Sequence, residues 1–337
     1  MKKKTIFFIA ALVLGVFLFG NSIYQTGIGN IVKTLKEFSV IKFLIFASLS
    51  FANFYLYSLR WELIVKALFK EKKISSFGLF LHRMAGFALS YVTPSAQLGG
   101  EPLRLMMLAD EGVPENIGTK SIVIDKTLEL SSLFLFITCG IFAALIEGSV
   151  PLGAKFFLFV IGCVMLFGVS WFYYASIKNI GFFSSILKFL HVRKIKKLQE
   201  MEHKLYEFEQ EMNTFYHKHR NILLQLVIIS VITTSFLLLE HFLVARFMGV
   251  NLSLFQTFLA STIPYVAYLI PVPGGIGVLE SGHAAVFAAL GVNINAFVFV
   301  FIIRLRDFIF VIVGLVHASK RGLSMMKTEL KKDYEDK

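Results

Sequence analysis

The sequence predicts an all-α polytopic membrane protein with six full transmembrane helices and two re-entrant helical hairpins in an inverted-topology repeat. Three observations lead to this prediction. The chain of 337 residues is 56% hydrophobic and 17% charged, with a mean hydropathy of +0.71, whereas an ordinary soluble domain is about 25% charged. Apolar runs long enough to cross a bilayer recur along the chain. Two further apolar stretches, interrupted by proline and glycine, resemble each other.

The full spans are predicted from apolar runs of roughly 18 or more residues, the length that a helix needs to cross the hydrocarbon. Lysines at positions 2–4 precede the first run, but no small-x-small cleavage site closes it, which favours an uncleaved span over a signal peptide. The six runs cover residues 5–23, 39–58, 118–146, 155–176, 221–247 and 293–316, and the interrupted stretches cover 76–98 and 255–290.

Basic residues cluster in alternate loops of this arrangement and set its orientation. Four segments, 2–4, 60–73, 178–220 and 320–337, hold 23 of the 34 lysine and arginine residues. Such an excess marks the cytoplasmic side, so both termini are predicted to be cytoplasmic. We expect the protein to be located in the cell membrane, the cytoplasmic membrane of a bacterium. Six full spans already return the chain to that side. Each interrupted stretch must therefore enter and leave on one side, as a hairpin of two short helices.

The remaining composition excludes several classes of protein. Cys139 and Cys163 both lie within apolar spans, so they indicate small buried side chains and neither a disulfide framework nor a metal site. The formal charge of +12 follows from the topology, and no soluble domain remains to bind nucleic acid. No HExxH, Walker A, dinucleotide-binding or Ser/His/Asp pattern occurs. We therefore expect no catalytic residue and no cofactor.

The two interrupted stretches match at a fixed offset in residue number. Each predicted unit is a span, a hairpin and a span, and the two units start on opposite sides, as in the inverted repeats of secondary transporters. Chance similarity between two apolar segments that contain glycine and proline is the alternative. An offset of 179 places Pro94 on Pro273, Glu101 on Glu280 and Gly112-Val113 on Gly291-Val292, and an offset of 178 places Lys126 and Glu129 on Arg304 and Asp307.

These observations predict one transmembrane domain over residues 1–337. A helix at 184–219 has apolar residues at spacings of three and four, and it could bind anionic headgroups or dock on the protein or on a second copy. A homo-oligomer is therefore left open.

The predicted transmembrane domain divides into five segments along the chain. They are the first span and outer loop (1–38), repeat unit 1 (39–146), the connecting span and cytoplasmic amphipathic helix (147–220), repeat unit 2 (221–316) and a cytoplasmic tail (317–337).

The interruptions at 93–100 and 271–277 are the first candidates for a binding site. Non-helical backbone at membrane depth occurs only where it is buried in protein or lines a cavity. The helix that begins after each interruption presents free N–H groups and a partial positive charge, which suit a lipid phosphate. A helix kink or tight helix packing at glycine is the alternative. The residues concerned are Pro94, Gly99, Gly100, Pro273, Gly274, Gly275 and Gly277.

Ionisable residues near the interruptions are the second group of candidates, because each costs about 2.5–3.5 kcal/mol in the hydrocarbon. Their alternative role is an ion-pair network that holds the hairpins together. The charges of the sets 125–129 and 304–307 roughly balance within each set, so we expect most of them to pair. Proton coupling through the carboxylates, or a relay through Glu240 and His241, is left open. The candidates for substrate binding are Glu101, Arg104, Lys126, Glu280 and Arg304.

At these residues the chain resembles a known family, the flippase-like transmembrane domain of lysylphosphatidylglycerol synthases and of many stand-alone membrane proteins. The resemblance covers roughly residues 40–316. Asp125-Lys126 with Glu129 stands where the family tends to have Glu-Arg followed by Asp, and no aminoacyltransferase domain follows the last span. The matching motifs are Leu59-Arg60-Trp61, Pro94 with Gly99-Gly100-Glu101 and Arg104, and Pro271-x-Pro273-Gly274-Gly275-x-Gly277-x-x-Glu280.

The resemblance implies lipid translocation between leaflets. We accordingly predict a flippase or transporter for a phosphate-bearing lipid of the phospholipid, aminoacyl-phospholipid or polyprenyl-phosphate type, with an anionic or zwitterionic headgroup. The hairpin tips are expected to meet and to line a hydrophilic groove for that headgroup. The alternatives are a membrane-embedded lipid-modifying enzyme and an accessory or structural subunit of an envelope-lipid synthesis complex.

Overall fold

The computed structural model describes residues 38–71, 73–93, 98–147, 152–178, 180, 209–210, 212–265 and 272–335, with the isolated residues 24, 28, 29, 32 and 33. The predicted first span at 5–23 and most of the predicted amphipathic helix at 184–219 lie outside these residues. Pro94 and Pro271 lie outside them too. Every regular element within the described ranges is helical, which confirms the all-α class.

Nine α-helices are defined within the described residues. In chain order they are α1 (Val40–Leu68), α2 (Ser76–Val92), α3 (Glu101–Asp110), α4 (Glu115–Glu147), α5 (Leu152–Lys178), α6 (Arg220–Phe247), α7 (Leu254–Thr262), α8 (Val278–Ala289) and α9 (Ala296–Glu335), and a 3₁₀ turn at Pro273–Gly275 separates α7 from α8.

Four of the described helices are long and apolar enough to cross a membrane by length and composition. They contain the ranges Val40–Leu68, Glu115–Ile146, Lys155–Ala175 and Arg220–Phe247, which coincide with four of the six predicted spans. The predicted span at 293–316 lies within α9, where charged residues at 304, 306 and 307 interrupt the apolar sequence. The chain is therefore a multi-pass membrane protein, while the total of six spans and two re-entrant hairpins stays a prediction.

Each interrupted stretch forms two short helices separated by a break, as the sequence predicts. The first pair is α2 and α3, and the second is α7 and α8. Serine side chains cap α2 and α7, because Ser75 Oγ accepts from Gly78 N at 3.2 Å and Ser253 Oγ accepts from Gln256 N at 3.1 Å. The first helix of each hairpin therefore begins at a local signal in the sequence.

The second helix of each hairpin ends in the same way. Gly112 after α3 and Gly291 after α8 both have positive φ, of 87° and 62°, which glycine adopts without steric cost. The following valine N–H then reaches back to the helix, from Val113 to Leu108 O at 3.1 Å and from Val292 to Phe287 O at 2.9 Å. This is the Schellman arrangement of helix C-termini. The matching Gly-Val pairs of the two units thus have one shared structural role.

The helices of the two units also pack against each other in corresponding pairs. In unit 1 the hairpin helix α2 packs along α9, the last helix of unit 2, while α7 packs against α4, the last helix of unit 1. The first helices of the two units, α1 and α6, pack against each other. Such reciprocal contacts are expected if a pseudo-two-fold axis relates the units.

The apolar surface of α5 is the clearest lipid-facing region. Phe156, Phe157 and Phe167 on this helix are 78%, 67% and 67% exposed, which suits a helix in contact with acyl chains. A buried apolar cluster joins α1, α6, α8 and α9 through Phe46, Val244, Leu279 and Phe299. The polar residues described below lie between these apolar layers.

Candidate functional site

A cavity between the two repeat units contains most of the candidate chemistry. Its volume of about 240 Å³ lies below the roughly 300–1,000 Å³ of typical ligand pockets, which suits a headgroup better than a whole lipid. Residues from both units line it, with Glu101, Arg104 and Lys126 from unit 1 and Glu240, Tyr265 and Arg306 from unit 2. Three of the predicted binding residues therefore face this cavity.

Asp125 on α4 organises the wall of the cavity that unit 1 provides. Its side chain is fully buried, and it accepts hydrogen bonds from Arg60 Nε at 2.9 Å, from Arg83 Nη1 and from Arg104 Nη2 at 3.0 Å. These arginines come from α1, α2 and α3. One carboxylate therefore ties four helices together. Asp125 is paired, as expected for most of these charges, although its arginine partners all lie outside the 125–129 set.

Arg104 is held in position from several sides. Its Nη1 donates to Glu101 Oε2 at 2.8 Å, and its guanidinium lies 4.0 Å from the centre of the Trp61 ring. This distance allows a cation–π interaction, and it gives the Arg60-Trp61 motif a structural role. Buried Arg104 Nε has no hydrogen-bond partner. One donor of this arginine is thus buried without a partner among the described residues.

Gly86 and Gly100 allow α3 to approach α2 at this point. A Cβ atom at Gly100 would lie 1.8 Å from Gly86 O, and one at Gly86 would lie 2.7 Å from the Arg104 side chain. Gly100 N also donates to Ser90 Oγ at 2.8 Å. The glycine at 100 is therefore required by close backbone contact, which places the start of α3 and Arg104 beside the cavity.

Lys126 and Glu129 complete this wall. Lys126 Nζ lies 2.8 Å from Glu129 Oε1 and 3.6 Å from Glu101 Oε1, while Arg83 Nη2 donates to Glu129 Oε2 at 2.7 Å. The contacting group holds four cations and three carboxylates, with a formal net charge of +1. Its members are Arg60, Arg83, Arg104, Lys126, Glu101, Asp125 and Glu129, and we call it the unit 1 cluster.

The opposite wall carries charge of the other sign. Arg306 Nη1 donates to Glu240 Oε2 at 2.8 Å and to Ser50 Oγ at 3.0 Å, and its Nε lies 2.9 Å from Asp307 Oδ1. We call Glu240, Arg306 and Asp307 the unit 2 cluster. Its formal net charge is −1, from one cation and two carboxylates. Glu240 Oε1 and the nearby lining residue Asn53, through Oδ1, are buried acceptors without a hydrogen-bond partner.

At the second interruption, hydrogen bonds from Arg304 fix the backbone, and the residues involved do not line the cavity. Arg304 Nε and Nη2 bind the two oxygens of Glu280 at 2.7 and 3.0 Å. Its Nη1 also donates to Gly274 O at 2.8 Å and to Tyr91 OH at 3.0 Å. Gly277, with φ of 80°, donates its N–H to Glu280 Oε2 at 2.8 Å. Because Tyr91 belongs to α2, the end of the first hairpin helix contacts the second break.

The structure therefore divides the predicted site residues into two groups. Glu101, Arg104 and Lys126 line the cavity, with Gly100 at the start of α3 beside them, while the residues of the second break fix its backbone and do not line the cavity. The second group comprises Gly274, Gly275, Gly277, Glu280 and Arg304, and Pro273 and Gly99 also lie away from the lining.

Several lining residues were not identified from the sequence. The sequence does not mark Arg83 or Arg306 as lining residues, and Asn53 has no sequence signal because a single asparagine in an apolar run is common. Glu240 stood out as an ionisable residue within a span. Among the described residues, no group of three His, Cys, Asp or Glu side chains could hold a metal ion.

Comparison with known proteins identifies a family that this chain matches. The family model for the lysylphosphatidylglycerol synthase TM region matches residues 7–314. A UPF0104 membrane protein of Methanothermobacter thermautotrophicus is 24% identical over 304 residues, covering 84% of this chain and 85% of its own. A UPF0104 membrane protein of Archaeoglobus fulgidus is 26% identical over 246 residues, covering 68% and 72%. Both relatives are archaeal, so they do not support the expected bacterial source.

Proposed function

Because the chain belongs to the family of the lysylphosphatidylglycerol synthase TM region, we propose that it moves a phosphate-bearing lipid between membrane leaflets. The headgroup enters the cavity between the two units, and the acyl chains remain in the bilayer beside the protein. The lipid is of the phospholipid, aminoacyl-phospholipid or polyprenyl-phosphate type.

The observation that carries this proposal is the net positive charge of the unit 1 cluster. Four cations and three carboxylates surround one wall of a cavity buried among apolar helices. An uncompensated charge inside a membrane protein is costly and marks a substrate pathway by default. An anionic phosphate compensates this charge. Guanidinium groups also suit phosphate geometrically, because they donate several N–H bonds in one plane.

The unpartnered polar atoms support the same proposal. A buried polar atom without a partner costs roughly 1–3 kcal/mol, and a ligand that supplies the partner recovers part of that free energy. Arg104 Nε is such a donor at the unit 1 wall, while Asn53 Oδ1 and Glu240 Oε1 are such acceptors. A phosphate oxygen fits the donor, and a hydroxyl or amino group of the headgroup fits the acceptors.

The opposite charges of the two walls favour a headgroup with both signs. A phosphate at the unit 1 cluster and an amino group at the unit 2 cluster would each lie next to the complementary charge. A zwitterionic headgroup, whose own charges cancel, then leaves no excess charge in the cavity. This arrangement gives zwitterionic lipids an advantage over purely anionic ones.

Leaflet exchange in liposomes tests the proposed function. The purified protein is reconstituted with fluorescent reporter lipids bearing zwitterionic, anionic or polyprenyl-phosphate headgroups, and exchange is followed with and without a proton gradient. The variant Lys126→Gln removes the excess charge, and we expect it to slow exchange at least tenfold. Lys66→Gln is the matched control, because Lys66 is half exposed and pairs with Glu62 outside the cavity.

Exchange of one headgroup class by the wild type and by Lys66→Gln, with loss in Lys126→Gln, supports the proposal. A folded protein that exchanges no reporter lipid contradicts it and favours the accessory or structural alternative.

A further inference from the structure

Two buried histidines outside the cavity face each other in an unusual way. His241 lies on α6 and His283 lies on α8, and both side chains are 1% exposed or less. Their Nε2 atoms are 3.4 Å apart, while the ring centroids are 5.5 Å apart and the ring planes differ by 10°. The two Nε2 atoms therefore lie between the rings and point towards each other.

The other nitrogen of each ring determines where the protons are. His241 Nδ1 lies 2.8 Å from Leu237 O, and His283 Nδ1 lies 2.9 Å from Leu279 O. A carbonyl oxygen can only accept a hydrogen bond, so each Nδ1 must carry the proton of its ring. In the neutral rings both Nε2 atoms are then unprotonated, and two lone pairs face each other.

We propose that His241 and His283 form a proton-binding site that holds one excess proton between their Nε2 atoms. With this proton the facing atoms become donor and acceptor, and the pair carries a charge of +1. A second proton would place two positive rings against each other, so the pair takes up one proton and not two. Neither histidine lines the cavity of the proposed function.

Two arginines near the pair act against the excess proton, since Arg306 disfavours a positive charge on His241 and Arg304 disfavours one on His283. Arg304 is neutralised by Glu280, whereas Arg306 is shared by Glu240 and Asp307. The unit 2 cluster therefore has a formal net charge of −1, and Glu240 is the sequence neighbour of His241, so this negative charge favours the excess proton. Burial of a positive charge opposes this gain.

Aromatic rings surround the pair and can offset part of the burial cost. The Phe299 ring centroid lies 5.5 Å from that of His241 and 5.4 Å from that of His283, and the Tyr265 ring contacts both histidines. A cation within about 6 Å of a ring centroid is attracted to the ring face. Tyr265 also lines the cavity, so the proton site and the cavity share one side chain.

A second histidine pair in the same chain provides an internal control. His82 Nδ1 lies 3.1 Å from His317 Nε2, and neither of these atoms is bonded to a backbone carbonyl. One neutral ring can therefore donate to the other without an excess proton. His82 Nε2 lies 3.5 Å from Glu111 Oε1, which is consistent with a proton on that nitrogen.

Nitrogen-15 solid-state NMR tests the proposal on the full-length protein in lipid nanodiscs. Chemical shifts distinguish N–H from unprotonated ring nitrogens, and contacts from the carbonyl carbons of Leu237 and Leu279 to the Nδ1 atoms assign the two rings without mutation. At pH 6 we expect three N–H protons on the two rings. The control pair should hold two.

A variant gives an independent measurement. In His283→Gln the side-chain amide can donate to His241 Nε2, so the excess proton is no longer needed. We expect one ring N–H, on His241 Nδ1, instead of three on the pair, and the bound positive charge is lost. His317→Gln should leave the state of His241 and His283 unchanged. Two unprotonated Nε2 atoms at pH 6, two fully charged rings, or shifts that show a bound metal ion would each overturn the proposal.

Discussion

Arg304 binds both carboxylate oxygens of Glu280, at 2.7 and 3.0 Å, and neither side chain is more than 3% exposed. The equivalent residues of the first unit, Lys126 and Glu101, are 3.6 Å apart and partly accessible from the cavity. Under the predicted repeat, an ion pair thus occurs at matching positions of both units. One pair fixes the backbone of a break, and the other lines the cavity.

This difference predicts unequal effects of two matched substitutions. Glu280→Gln leaves Arg304 buried without its counter-charge, and removal of one partner of a buried pair typically costs about 3–5 kcal/mol. Glu101→Gln leaves Arg104 with Asp125, so it should cost far less stability. Thermal unfolding in detergent measures both. Equal losses of stability would contradict the assignment of Glu280 as structural and of Glu101 as a cavity residue.

The cation–π contact under Arg104 predicts a graded effect at Trp61. Trp61→Phe keeps a ring face beneath the guanidinium, whereas Trp61→Leu removes it, and a buried contact of this kind contributes about 2 kcal/mol. We expect leaflet exchange to fall roughly tenfold or more in Trp61→Leu and much less in Trp61→Phe. Both variants lose the hydrogen bond from Trp61 Nε1 to Ser121, so that loss cannot explain a difference between them.

The close approach of α2 and α3 predicts that Gly100 cannot be replaced by alanine. The added methyl group would lie 1.8 Å from Gly86 O, so α3 must shift and Arg104 must leave Asp125. Gly168→Ala is the control, because nothing lies within 4 Å of the added atom on α5. Limited proteolysis and leaflet exchange should both change in Gly100→Ala and neither in Gly168→Ala. Normal exchange by Gly100→Ala would refute the requirement.

Asp125 is predicted to be the most sensitive single position of the unit 1 cluster. Asp125→Asn leaves Arg60, Arg83 and Arg104 without the carboxylate that they share, and three buried cations then repel one another. The expected result is loss of folded protein, measured as the fraction that elutes as a single species on size exclusion. Glu62→Gln is the comparison, since Glu62 is also buried but its cation partner, Lys66, is half exposed, so the substitution leaves no buried cation without a counter-charge. Comparable yields of Asp125→Asn and Glu62→Gln would contradict the prediction.

The sequence predicts the helical class and the paired hairpins because their signals are local. Serine before α2 and α7, glycine after α3 and α8, and the apolar runs of α1, α4, α5 and α6 each act on neighbouring residues. The Glu280–Arg304 pair could also be anticipated, because the repeat aligned both residues with charged positions in the first unit.

The composition of the cavity could not be predicted in the same way. Asp125 contacts Arg60 across 65 residues, and Arg306 contacts Glu240 across 66. The packing of α1, α6 and α9 determines these ion pairs, and it produces no periodic pattern in the sequence. The roles of Asn53, His241 and His283 depend on which groups surround them in the fold, and the sequence does not show those neighbours.

If a headgroup passes through the cavity between the two units, as we propose, then blocking the cavity must stop leaflet exchange. Leu133→Cys places a thiol in the cavity lining, and Phe157→Cys places one on the lipid-facing surface of α5. Cys139 and Cys163 are first replaced by alanine, and each variant is assayed for leaflet exchange before and after reaction with a bulky maleimide, with labelling confirmed by mass spectrometry. We expect labelling to stop exchange at position 133 and to leave it unchanged at position 157. Undiminished exchange by fully labelled Leu133→Cys would contradict the proposal.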